Sequence, residues 1–105
     1  RNRATAVRMA RLAAPLASLP HVAEVRQAGM VVAFELTRDG QRDVPFDPAL
    51  RIGLRAYRAA LERGVLLRPL GDVLYWMPPY CVDEAQLQLL AEATGEAIEE
   101  ATACA

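Results

Sequence analysis

The chain has 105 residues, 53% apolar and 24% charged, with a formal net charge of −1. Length and composition fit one globular domain with its own core and exclude a disordered chain. The near-neutral balance argues against nucleic acid or an anionic membrane as the main partner, and no apolar run approaches the ~20 residues that span a bilayer.

All twelve basic residues are arginine. Chemistry that needs a lysine amine, such as a Schiff base, therefore cannot be run by this chain alone. Cys81 and Cys104 are the only cysteines, with no Cys-x-x-Cys spacing. They are expected to be reduced thiols in a cytoplasmic protein, with no histidine but His21 to activate either. The chain opens on Arg1 rather than Met, so a piece of something longer is expected.

Ala4 to about Leu19 carries an Ala- and Leu-rich helical pattern. Val7, Ala10 and Ala14 form its predicted apolar face, and Arg8 and Arg11 read as solvated. Pro15 should kink this helix or mark its last turn, and Ser18 to His21 reads as a stop. Val22 to Leu36 reads as two strands around Ala28-Gly29, with Gly29 at a bulge or a positive φ. The near-continuous apolarity of Met30 to Leu36 predicts a strand covered, at least in part, on both sides. His21, without an acidic or cysteine partner nearby in sequence, reads as a surface or capping histidine.

Arg38 to Asp47 reads as an exposed loop with a turn at Asp39-Gly40, and Arg42-Asp43 is open as a contact for another domain. Asp47 and Pro48 predict the cap and first position of a second helix. Its predicted stripe is Leu50, Leu54, Tyr57, Ala60 and Leu61; Arg51, Arg55, Arg58 and Glu62 face away, and Gly64 stops it. Gly64 to Tyr80 predicts a hairpin, with apolar runs Val65–Leu67 and Val73–Met77 around a Pro-Leu-Gly-Asp turn. Pro78-Pro79-Tyr80 cannot continue a ladder. Asp83 and Gln86 predict a capping box opening a third helix. Leu87, Leu90, Ala91, Thr94, Ala97 and Ile98 form its core face. Glu92, Glu96, Glu99 and Glu100 form a solvated side rather than a metal site, since no histidine is interleaved.

The order α-β-β-α-β-β-α predicts an α+β fold, a small antiparallel sheet of about four strands with three helices packed on it. One feature suggests chemistry. Arg68 ends the first hairpin run, with apolar residues before it and Pro69 restricting its backbone. A held guanidinium suits a carboxylate, because its fork gives two parallel charge-assisted hydrogen bonds. Tyr75 could present its hydroxyl on the same surface, while Trp76 and Met77 read as packing. Glycine-rich phosphate loops, a nucleophile elbow and metal-ligand spacing are absent. The chain holds no complete catalytic set, and no catalytic, cofactor-binding or metal-binding residue is assigned to it.

Gly64-Val65, Arg68-Pro69, Gly71, Tyr75 and Met77-Pro78-Pro79-Tyr80 together resemble the C-terminal segment of the adenosylmethionine–8-amino-7-oxononanoate aminotransferases. Glu24-Val25-Arg26-Gln27-Ala28-Gly29-Met30, leading to Phe34-Glu35-Leu36, resembles a strand pair of class III aminotransferases generally. The resemblance covers nearly the whole chain. It implies the C-terminal small domain of a fold-type I homodimer dependent on pyridoxal phosphate. The implied reaction moves an amino group from S-adenosylmethionine to 8-amino-7-oxononanoate, giving 7,8-diaminononanoate in biotin synthesis. It implies substrate binding at Arg68 and Tyr75, and a large domain of the same chain as partner. That domain carries the Schiff-base lysine and the cofactor contacts, so no cofactor is expected on these 105 residues alone. A free-standing interaction module and the small domain of another class III aminotransferase remain as alternatives.

Overall fold

The computed structural model describes residues 2–40, 44–78 and 82–103. Helix α1 (Asn2–Ala13) runs into a 3-10 segment, Ala14–Ser18, and is followed by strands β1 (Val22–Ala28) and β2 (Val31–Leu36). A 3-10 turn, Pro48–Leu50, precedes helix α2 (Ile52–Glu62). Strands β3 (Arg68–Leu70) and β4 (Val73–Trp76) and helix α3 (Glu84–Thr102) complete the chain. The strands form one antiparallel sheet in the order β1-β2-β4-β3, so two hairpins meet along β2 and β4. The predicted α+β order is the observed one.

The period of two divides this sheet into unlike faces. Val32 pairs with Trp76 and Phe34 with Leu74, and all four side chains are buried. Met9 and Ala13 of α1, Ile52 and Ala56 of α2, and Leu87 and Ile98 of α3 join the same core. The intervening positions, Ala33 opposite Tyr75 and Glu35 opposite Val73, point the other way. No described element covers that second face. β2 is thus screened by helices on one side only; on the other, Ala33 is buried while Val31 and Glu35 are half-exposed.

Local signals act largely as read. Gly29, Gly40 and Gly64 take φ of 58°, 76° and 83°, values that L side chains resist. Asp83 and Gln86 close a complete capping box: the carboxylate accepts from Gln86 N at 2.7 Å, and the amide oxygen from Asp83 N at 3.0 Å. Arg63 fastens the end of α2 to α3, with Nε donating to Glu96 at 3.0 Å and Nη2 to Glu100 at 2.8 Å. Both carboxylates raise the guanidinium's proton affinity above its already high ordinary value, Glu100 more than Glu96. Those acids serve an ion pair, and no group of His, Cys, Asp and Glu that could hold a metal occurs among the described residues.

Five expectations need correction. The predicted apolar face of α1 is its solvent face: Val7 is 60% exposed, and Ala10 and Ala14 are exposed too. Alanine lies all around this helix, so the large Met9 sets which side is buried. Helix α2 begins at Ile52, not Asp47. Asp47 caps a separate 3-10 turn, accepting from Ala49 N at 3.0 Å, and Arg51 then turns left-handed at φ 52°. The buried face of α2 is Ile52, Gly53, Ala56, Ala59 and Ala60, all but the first small residues that let it lie close to its neighbours, while Leu61 is exposed. Finally, Val65 to Leu67 is not a strand, so Arg68 opens β3 rather than ending a run, and Met77 is exposed instead of packed. The readings made for Arg42-Asp43, Pro79-Tyr80, Cys81 and Cys104 fall outside the described residues.

Sheet and α3 are tied by one buried polar contact. Trp76 Nε1 donates to Thr94 Oγ1 at 2.9 Å, and Thr94 Oγ1 donates to Leu90 O at 2.6 Å. Thr94→Val keeps the shape and strands the indole N–H. It is expected to cost about 1–3 kcal/mol, read as a lower urea midpoint in equilibrium unfolding.

Candidate functional site

Arg68 and Tyr75 are direct cross-strand partners in the β3–β4 pairing. Residues opposite each other on one face have Cβ atoms about 4.5–5.5 Å apart, so the two side chains are neighbours. The row continues across the sheet through Ala33 to Arg26. The structure therefore brings together, on the uncovered face, the two residues that the sequence singled out.

The two arginines of this row are in opposite states. Glu24 and Glu35 face each other across β1 and β2, an arrangement that repels unless a cation intervenes. Arg26 Nη1 donates to both carboxylates at 2.9 Å, which raises its proton affinity, Glu35 contributing most. Arg26 is committed. Arg68 is exposed, and among the described residues its guanidinium makes no hydrogen bond or ion pair.

Large exposed apolar residues lie near Arg68 along the hairpin. Leu66 and Leu70 alternate with Arg68 and are 64% and 69% exposed; Met77, two residues beyond Tyr75, is 57% exposed. Arg68 was expected to be dry on one side because of Val65 to Leu67. Val65 and Leu67 are buried, but Leu66 lies open beside it.

Sequence reasoning missed what fixes the hairpin. Gly71 and Asp72 form a two-residue turn, closed by Leu70 opposite Val73, with Gly71 at φ 58°. Asp72 is held from two directions. Its carbonyl accepts from Leu36 N at 2.9 Å, and its carboxylate accepts from Gly53 N at 3.1 Å. Helix α2 has no cap of its own, since Arg51 offers no side-chain acceptor. Asp72 supplies one from the hairpin and adds a negative charge at the helix's positive end. The fit is tight: a Cβ on Gly53 would lie 1.9 Å from Gly71 O. A glycine inside a helical pattern was the only available hint.

An apolar cleft of about 600 Å³ opens beside this junction, lined in part by Phe46, Arg51, Leu54, Pro69 and Val73. It excludes Arg68 and Tyr75. His21 is structural: its Nδ1 lies 3.2 Å from Thr37 O and its ring sits 5.4 Å from that of Phe46. Tyr57 is half-buried in α2. Among the described residues, no helix is long and apolar enough to cross a membrane.

The fold is thus a small antiparallel sheet with helices on one face and, among the described residues, an unpaired guanidinium on the other. The Aminotransferase class-III family pattern matches residues 2–98, and the chain belongs to that family. The adenosylmethionine-8-amino-7-oxononanoate aminotransferase of Nitratidesulfovibrio vulgaris is 43% identical over 91 residues, covering 87% of this chain and 17% of that protein. The crystal structure of the enzyme of that name from Methanocaldococcus jannaschii matches with a TM-score of 0.88 at 30% identity, over 94% of this chain and 23% of the other. A PMP-bound aminotransferase from Vibrio fluvialis matches at 27% identity and a TM-score of 0.91, over 97% of this chain and 23% of the other. The chain thus spans less than a quarter of the length of these proteins.

Pyridoxal phosphate, the cofactor implied by the family, does not fit the residues present. All twelve basic residues are arginine, so no lysine amine exists to join its aldehyde. No step through the cofactor is derived for this chain.

The junction yields a test in which two effects oppose. Helix propensity alone favours Gly53→Ala by about 1 kcal/mol. Contact with Gly71 O should outweigh it, leaving a net loss of about 1–3 kcal/mol by urea unfolding.

Proposed function

We propose that these 105 residues are the C-terminal small domain of a longer pyridoxal-phosphate-dependent aminotransferase. In this reading the enzyme converts 8-amino-7-oxononanoate to 7,8-diaminononanoate, with S-adenosylmethionine as amino donor, in biotin biosynthesis. It is a cytoplasmic homodimer. The observation that carries the reading is the free guanidinium of Arg68 beside Tyr75 on an uncovered sheet face. The likeness to relatives named for this reaction supports it.

The division of labour follows from the residues. Amino transfer belongs to a cofactor held by the large domain of the same chain, which supplies the lysine lacking here. Leu66, Leu70 and Met77 suit burial against that domain. Desolvation of this kind strengthens a charge-assisted pair at Arg68. The fork grips the acid end of 8-amino-7-oxononanoate through two parallel hydrogen bonds. With one end fixed, the ketone is delivered in a restricted set of orientations, an entropic gain made before reaction. Tyr75, adjacent on β4, borders the same pocket. The Met77-Pro78-Pro79-Tyr80 wording favours this substrate over that of another class III aminotransferase.

In the full-length enzyme, Arg68→Ala should lower kcat/KM for 8-amino-7-oxononanoate by about a hundredfold, as loss of a charged hydrogen-bond partner costs about 1.5–3 kcal/mol. The half reaction with S-adenosylmethionine should change far less. Single-turnover spectra of each half reaction check this, and equal losses in both would remove the dedicated role. Tyr75→Phe should cost less, about fivefold in the same assay, as one neutral hydrogen bond is worth about 1 kcal/mol.

A further inference from the structure

We infer that Asp72 is a positioning residue for Arg68, setting where the guanidinium stands although it touches neither the guanidinium nor the open face. The inference rests on the reading of Arg68 as a carboxylate site. β3 is three residues long, lies at the sheet edge, and has all three residues exposed. Its middle residue, Pro69, has no N–H to donate. So short a strand gains little orientation from its own ladder. Arg68 stands at the end away from the turn, roughly 10 Å along the strand from Gly71. A tilt of the turn is carried along that lever to the guanidinium.

What prevents the tilt is the double hold on Asp72. Its carbonyl is fixed to β2 through Leu36 N at 2.9 Å. Its carboxylate is fixed to α2 through Gly53 N at 3.1 Å. α2 is in turn clamped to α3 by Arg63. The backbone hold survives any substitution at position 72, whereas the carboxylate hold does not. Asp72→Ala therefore releases the helix-side restraint and leaves the strand pairing in place. Asp72→Asn keeps an Oδ1 acceptor for the same N–H.

The test uses the full-length enzyme with two acceptors, 8-amino-7-oxononanoate and its methyl ester. The quantity read is the ratio of their kcat/KM values. Loss of stability alone reduces the active fraction and lowers both values in the same proportion, so the ratio is unmoved. Misplacement of the guanidinium lowers the value for the acid only. Asp72→Ala should reduce the ratio about tenfold, mainly through KM for the acid, since misplacement by 1 Å can cost up to about a hundredfold. Asp72→Asn should restore most of it. If Asp72→Ala does not fold, Asp72→Ser, which shortens the acceptor and retains a turn-compatible residue, takes its place with the same expectation. Arg68→Ala is the reference: it should abolish the preference for the acid. A ratio unchanged in Asp72→Ala or Asp72→Ser, with the preference lost in Arg68→Ala, overturns the positioning role alone. A ratio unchanged in Arg68→Ala overturns the carboxylate reading of Arg68 and the positioning role with it.

Discussion

Helix α2 and the β3–β4 hairpin meet at a point where neither has a side chain to spare. Gly53 brings helix backbone against Gly71 O at a distance no Cβ would allow. The Asp72 carboxylate closes the gap by accepting from Gly53 N. Much of the architecture passes through this contact. It gives α2 the cap its own sequence lacks, and it orients an edge strand too short to orient itself. It also links the helical layer to the sheet on the side away from the Trp76–Thr94 bond. A glycine within a helix is intrinsically poor, costing up to about 1 kcal/mol against alanine. Close approach, not propensity, accounts for a glycine here.

The same economy separates the two faces of the sheet. One is spent on the core, where Val32, Phe34, Leu74 and Trp76 meet the helices. The other has its charges sorted. Arg26 bridges two carboxylates that would otherwise repel across paired strands, so its charge is already paired within the sheet. Arg68, in the same row, has no such obligation among the described residues. On the proposed reading, stability and binding thus fall to different arginines on one surface.

How much of this was legible depends on the range of the interactions. The capping box at Asp83 and Gln86, the stop at Gly64 and the turn at Gly29 are local, and sequence shows them. The adjacency of Arg68 and Tyr75 was within reach because a two-residue turn fixes register. Helix phase was harder. In α1 and α2 alanines lie on several sides, so the hydrophobic pattern does not choose between faces, and packing against Met9 and Gly53 does. The hold of Asp72 on Gly53 links residues 19 apart through tertiary contact, and no local pattern encodes it. The family resemblance was carried by Arg68, Pro69 and the run after Tyr75, yet it offered no hint of how that strand is steadied.

On the proposed reading, arginine rather than lysine at a site near an aldehyde cofactor has its own logic. A lysine ammonium would also attract a carboxylate, but its amine can lose a proton and condense with an aldehyde. Within reach of pyridoxal phosphate it would compete with the amine meant to hold the cofactor. A guanidinium stays protonated, does not condense in this way, and presents a planar fork that a point charge lacks. A chain with twelve arginines and no lysine extends that restriction over its whole surface. On the proposed reading, such a domain can close on the reacting centre, grip an acid and leave the carbonyl chemistry to a single amine elsewhere.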